Sequence, residues 1–259
     1  MKLGILTAIW KRPELTGIML PYWSQMRVSG VELDPVAIVS PEDDMFIVPP
    51  TRYGWDYEYA PNHPLSDKWN AGMQAMRARG VDAVMIVGSD NFITPTYLAY
   101  VRALLQEGYD FLRLRDCWFY EAGSENLYHA SPALPGAGRV LAASLLDRMD
   151  WQPWEPGKSR YLDMSMQHRM EQPAEPTRQP NRPHDVPCFE NHIVCLDVKT
   201  DTNLWQWDEA HERLIAPEGR ELRFANVTRY DALPVLLRFF PSVASDLYEW
   251  SRKPNERAA

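Results

Sequence analysis

The chain of 259 residues holds only three cysteines, Cys117, Cys188 and Cys195. They are odd in number and form no CxxC pair, so neither a disulfide framework nor a zinc site is indicated, and a reducing cytoplasm is the expected compartment. No window approaches the roughly 20 apolar residues that span a bilayer. The apolar stretch after Met1 and Lys2 is too short for a signal peptide, and a soluble protein is expected. Basic residues are the minority, 27 against 35 acidic, and a net charge of −8 argues against a broad nucleic-acid surface. There is no internal repeat. The length suffices for one large α/β domain or two small ones, with a single-domain enzyme as the default. Ten Trp and twelve Tyr are many for this length. Most belong in the core, although such rings also stack on flat polar ligands.

The clearest pattern lies at 81–91, VDAVMIVGSDN. An apolar run rich in Val and Ile that stops on Gly88-Ser89-Asp90-Asn91 reads as a strand buried on both faces of a mainly parallel sheet. Ligands of open α/β sheets bind beyond the carboxyl ends of such strands, which makes Asp90 the leading functional candidate. The plainer reading is a residue that ends the strand and caps the next helix. Residues 2–9 read as a first strand. Pro13 then opens a helix, with Glu14 near its positive end. Leu15, Ile18, Met19, Tyr22, Trp23 and Met26 form the inner face of that helix, and Pro21 should kink or split it. Residues 36–39 give a second strand, followed by an acidic turn at 40–44. Residues 45–63 read as a long ordered loop over the sheet edge or a lid. From Pro64 a helix places Leu65, Trp69, Met73 and Met76 inward, with Lys68 and Asn70 off that stripe and Gly80 at its end. Thr94-Pro95 open another helix ending at Gly108, and 109–115 form a further strand. The layout to this point is doubly wound and Rossmann-like.

Beyond 116 the texture turns aromatic, Pro-rich and irregular. Residues 136–139 precede a helix with Val140, Leu141, Ser144, Leu145 and Met149 inward, and 151–157 form a loop with two Trp. Residues 160–163 open another helix, with Asp163 favourably placed at its start. Residues 172–187, with five Pro, read as a mobile loop carrying Arg178, Arg182 and His184. A late strand spans 193–198. The tail at 230–250 is amphipathic and broken at Pro241, and is expected to pack back on the domain or to form a homodimer contact.

Residues 7–14 (TAIWKRPE), the acidic turn at 41–44, residues 65–72 (LSDKWNAG), the Gly88–Asn91 turn, and residues 136–139 followed by Leu162-Asp163 together resemble a GT-A-type glycosyltransferase of the inverting, family-2-like branch. The resemblance covers residues 1 to about 200. It implies an α/β GT-A fold, a Rossmann-like, mainly parallel sheet flanked by helices. Residues 1–116 would be the nucleotide-sugar half, 117–215 an irregular acceptor-binding half and 216–259 a helical tail. It further implies that Thr7 and Ala8 line the base slot and that Asp43 or Glu42 accepts from the base. Arg12, Lys68, Asn70, Ser89 and the late Lys199 would contact the rest of the donor. Asp90 with Asn91, and His192 with His211 behind it, would hold a divalent Mn or Mg. Asp163 would be the general base, with Glu155 in reserve, and Trp118, Trp151 and Trp154 are candidates for stacking. The chain departs from the pattern at Gly88, where Asp is frequent, and at Asn91, so Asp90 is the turn's only carboxylate.

The activity implied is transfer of a sugar from a nucleotide-sugar donor to an acceptor hydroxyl on a glycan, metabolite, protein or hydroxymethylated DNA base. Only the 178–184 basic loop favours DNA. A nucleotidyltransferase would need a Gly-rich phosphate loop after the first strand, and TAIWKRPE has no Gly. A non-catalytic nucleotide- or glycan-binding module is the other alternative.

Overall fold

The computed structural model describes residues 1–41, 50–171, 181–200, 203, 205–216 and 219–252. The first part of the chain runs β1 (Lys2–Ala8), α1 (Pro13–Gln25), β2 (Glu32–Val39), β3 (Asp56–Tyr59), α2 (Leu65–Ala78), β4 (Ala83–Gly88), β5 (Asn91–Ile93), α3 (Thr96–Gln106) and β6 (Phe111–Leu114). It continues with β7 (Cys117–Glu121), β8 (Asn126–Ser131), β9 (Val140–Ala142), α4 (Ala143–Asp147), α5 (Leu162–Glu171), β10 (Pro183–Val186) and β11 (Cys195–Lys199). Last come β12 (Gln206–Asp208), β13 (Arg213–Ile215), β14 (Glu221–Arg223), β15 (Asn226–Asp231), α6 (Ala232–Phe239) and α7 (Ala244–Ser251). The main sheet has seven strands in the order β10-β6-β9-β4-β1-β2-β3. It is parallel except at β9, which opposes both neighbours. A second sheet is ordered β15-β8-β7-β11-β5 and a third β12-β13-β14.

Alternation along β1 sets the layers, because successive side chains of a strand face opposite ways. Leu3 and Ile5 join a core with Leu15, Met19 and Trp23 of α1, whereas Leu6 joins one with Met73 and Met76 of α2. Gly72 lets α2 lie close to the sheet, since a Cβ there would come within 2.7 Å of Leu6 and 2.8 Å of Ile38. The carboxyl ends of β1, β2 and β4 fall level, with Ala8 opposite both Ile38 and Gly88.

Several expectations change. Helix α1 runs unbroken through Pro21. Strand β2 begins before Pro35, at a level where β3 gives it no partner, and a strand edge tolerates a residue without an N–H. The expected edge loop contains β3, and the basic loop contains β10. The expected helix from Val140 begins only at Ala143, because Val140–Ala142 pairs between β4 and β6. The region after 116 is not irregular: it supplies four strands of the five-stranded sheet and the whole of the three-stranded one. Thr94 does not cap α3, since its hydroxyl accepts from the Val194 N–H at 3.1 Å. The tail packs back: Phe240 meets the rings of Tyr22 and Phe92, and Trp250 donates to Glu14 at 3.0 Å. Among the described residues no helix is long and apolar enough to cross a membrane.

Candidate functional site

The chain leaves the main sheet at Gly88 and resumes pairing at Asn91 in the second sheet, so Ser89 and Asp90 form the crossing between them. At Gly88 a Cβ would press on Asp90 Oδ1 and stand 2.6 Å from Asn91 Oδ1, so a side chain there would have to displace those two oxygens. The Gly88 N–H donates to Asn91 Oδ1 at 2.6 Å, and the Asn91 carbonyl accepts from the Trp23 indole at 3.2 Å. Asn91 is therefore occupied in closing the turn. Arg12 donates to Asp90 Oδ2 at 2.5 Å and to Ser89 Oγ at 3.0 Å. Asn203 donates to the same Asp90 oxygen at 2.7 Å. Burial pushes the Asp90 carboxyl up, but the charges of Arg12 and Lys199 and the hydrogen bonds from Arg12 and Asn203 outweigh it and hold it below its ordinary value.

Strand β11 lies between β5 and β7, with Asp197 directly opposite Asn91. The two-residue repeat puts Asp197 and Lys199 on one face, where Lys199 Nζ donates to Asp197 Oδ2 at 2.7 Å. Burial pushes the Asp197 carboxyl up; Lys199 pulls it down, and the charge on Asp90 adds to the rise.

Among the described residues no group of three or more His, Cys, Asp or Glu side chains is placed to hold a metal. Beside a diphosphate, Mg or Mn needs only one or two carboxylates, with phosphate oxygens and water completing the shell. Asp90, held as a carboxylate, suits this. His192 is not brought to the turn; it is exposed, left-handed at φ 54°, and precedes the end of β11 remote from Asp197. His211 pairs with Asp208 at 2.8 Å.

A cavity of about 360 Å³ adjoins the turn, bounded by Gly88 and Asn91 on one side and by Trp69, Trp154 and Asp163 on others. The rings of Trp69 and Trp154 are 5.7 Å apart, and the Asn70 amide donates to the Trp154 carbonyl at 2.9 Å. Asp163 pairs with Arg139 at 2.9 Å yet stays 64% exposed. Arg220, also at the cavity, lies over Tyr161 and Trp205 at 4.5 and 5.2 Å.

Other candidates are placed differently. Lys68 is 1% exposed. It donates to the Ile9 carbonyl and Ser40 Oγ at 2.6 Å each and to Asn62 Oδ1 at 3.1 Å. It thus ties together the ends of β1 and β2 rather than facing solvent. Thr7 is buried, and among the described residues its hydroxyl has no partner; Ala8 is level with Gly88. Glu155 pairs with Lys158 and with His168, and the Lys158 hydrogen bond is the main cause holding its carboxyl below the ordinary value. Trp118 packs on His129 and Tyr230, and Trp151 donates to Asp147 at 2.7 Å; of the three nominated Trp residues, Trp154 is at the cavity. Arg182 and His184 sit at the opposite, amino end of β6. Arg182 donates there to the Glu107 carbonyl at 3.1 Å, and His184 rests on Tyr109. Glu42, Asp43 and Arg178 lie outside the described residues. The residues that sequence reasoning missed are Asp197, Asn203, Arg139 and Arg220. Two charges spaced by two in the otherwise apolar CLDVK are a readable signal for Asp197; Asn203 is brought in only by the fold.

No family model matches the chain, and no curated protein does. Solved structures do. S. aureus TarS 1-349 in complex with UDP-GlcNAc aligns at TM-score 0.53 and 14% identity, over 78% of this chain and 60% of that one. The same fragment in complex with UDP aligns at 0.51 and 14%, over 77% and 61%. Mannosyltransferase PcManGT from Pyrobaculum calidifontis in complex with GDP-Man and Mn2+ aligns at 0.51 and 12%, over 78% and 58%. The chain spans about three fifths of the length of these structures. What they share with it at this identity is the fold: a GT-A-type α/β architecture with a mainly parallel central sheet flanked by helices.

Proposed function

We propose that the chain is a glycosyltransferase that moves a sugar from a nucleoside-diphosphate donor to an acceptor hydroxyl, with inversion, in one displacement. The observation that supports this most is one cavity bounded both by Gly88 and Asn91 of the Asp90 turn and by Asp163. Asp163 takes the proton of the acceptor hydroxyl as its oxygen attacks the anomeric carbon. The bond from that carbon to the phosphate oxygen breaks, and the electron pair leaves with the diphosphate. Arg12 and Lys199 stand at the turn to meet that charge. A divalent ion held by Asp90 and the phosphates would spread it further, and the Mn2+ in the PcManGT complex makes manganese the ion to test first. Thr7 and Ala8, beside the turn at the end of β1, are assigned to the base side. Trp69, Trp154 and Tyr161 offer ring faces to the sugar or acceptor. UDP-GlcNAc and GDP-Man, bound by the neighbours, head the donors to try. The acceptor class, whether glycan, metabolite, protein or hydroxymethylated DNA base, is left to a screen.

The test is donor turnover over a nucleotide-sugar panel with manganese, wild type against Asp163→Asn, with nucleotide binding measured by calorimetry on both. Asp163→Asn should lower turnover by about 10²- to 10⁴-fold, the usual range for losing a general base, while leaving nucleotide affinity within about threefold. Equal turnover by both proteins would remove Asp163 from the role. Binding without turnover in wild type would favour a non-catalytic binder.

A further inference from the structure

Resting on the nucleotide-sugar reading above, we infer that Asp197 is a positioning residue for the donor diphosphate: it fixes the Lys199 ammonium at the Asp90 turn. Three observations carry this. First, β11 is an inner strand, hydrogen-bonded to β5 on one side and β7 on the other, so its backbone is held rigidly. Antiparallel register with β5 sets Asp197 opposite Asn91, and the two-residue repeat brings Lys199 to the same face. Second, the head of a lysine is a point charge on a four-carbon stem, with several rotatable bonds that must be restrained before it can serve one phosphate. Here the restraint is double. Nζ donates to Asp197 Oδ2 at 2.7 Å, and it lies 5.4 Å from the centre of the Phe119 ring. Third, the Lys199 side chain is only 8% exposed and the Asp197 side chain 15%. In so dry a setting the carboxylate also offsets the cost of burying the ammonium beside Arg12.

The arrangement compensates for the turn's own chemistry. Gly88 contributes no side chain, Asn91 is turned back onto the Gly88 N–H, and Asp90 already accepts from Arg12 and Asn203. The orientation of the late cation is therefore supplied from β11 rather than from the turn. An ammonium has three donors, and the one aimed at Asp197 sets the direction of the remaining two.

A double-mutant cycle with two ligands tests it. The nucleoside diphosphate giving the largest thermal shift in a panel that includes UDP and GDP is titrated, alongside its parent nucleoside, into wild type, Asp197→Asn, Lys199→Met and the double variant. Lys199→Met should raise the diphosphate Kd about tenfold or more, as expected for a lost charge-assisted hydrogen bond. Asp197→Asn should raise it by roughly three- to tenfold, and the double variant should be no worse than Lys199→Met, since coupled residues are not additive. Nucleoside affinity should stay within about twofold throughout, because the nucleoside lacks the phosphates. Asp197→Glu, which keeps the charge, should recover part of the loss. Additive losses, an equal loss for the nucleoside, or no effect of Asp197→Asn would each overturn the inference while leaving the glycosyltransferase reading standing. Failure of wild type to bind any nucleoside diphosphate would overturn both.

Discussion

At the scale of single residues, Gly88 decides what the turn can be. The resemblance invites the view that a lost carboxylate has left Gly behind, so that Gly88→Asp would restore it. The geometry says otherwise, because the space above Gly88 is filled by the side-chain oxygens of Asp90 and Asn91. Gly88→Asp is expected to push the Asp90 and Asn91 side chains from their places, at about 0.5–1.5 kcal/mol, the cost of an off-rotamer side chain, and to weaken nucleoside diphosphate binding. Urea denaturation and calorimetry on the same preparation would check it; a more stable, tighter-binding variant would contradict the packing argument. Lys68 teaches the converse. Its partners come from β1, from the residue after β2 and from Asn62, so nothing in the local helical pattern signals that an ammonium is buried there. Asp90, by contrast, is legible as a candidate, because an apolar run ending in a compact polar turn at the carboxyl end of an inner strand points to one residue.

At the scale of elements, what was legible follows from how much of each element is buried. Strands β1 and β4 were readable as near-continuous apolar runs covered on both faces. Strands β3 and β10, DYEY and PHDV, are the two outermost strands of the main sheet, and edges tolerate Pro, charge and poor periodicity, so they read as loops. Strands β5 and β9 have three residues each, too few for any period to show. The late strand is legible without its partner, since β5 is too short to show a period, and it is β5 that brings Asp197 into register with Asn91. Of the two roles expected for the tail, packing back and a homodimer contact, the structure shows the first, and its contribution can be measured. Phe240 is fully buried among Tyr22 and Phe92, and Phe92 adjoins Asn91 of the turn. Phe240→Ala should cost about 3–5 kcal/mol, the range for emptying a buried aromatic position. A change below about 1 kcal/mol in urea denaturation, the level of an ordinary surface substitution, would mean that α6 is only loosely seated.

At the scale of the whole molecule, among the described residues the carboxyls that depart from their ordinary values mostly move down. Asp90, Glu155, Asp208 and Glu209 are all held low, whereas Asp197 is raised. A lowered carboxyl stabilises the fold above its ordinary value, and that contribution disappears as pH falls through the lowered one. Asp197 has the opposite sign, contributing fully below its ordinary value and losing that contribution as pH rises through its raised one. Among the described residues the lowered set is the larger, so the urea midpoint should fall once pH drops below about 4, where ordinary carboxylates take up protons. A midpoint that held or rose on acidification would show that Asp197 dominates. The sheet order has a further consequence, for the sequence of events during synthesis. Strand β9 sits between β4 and β6, which precede it in the chain. Until residues 140–142 have emerged from the ribosome, β4 and β6 present unpaired edges facing a gap. The central sheet can close only when that later segment is available, and such non-local pairing slows folding relative to a sheet of consecutive strands.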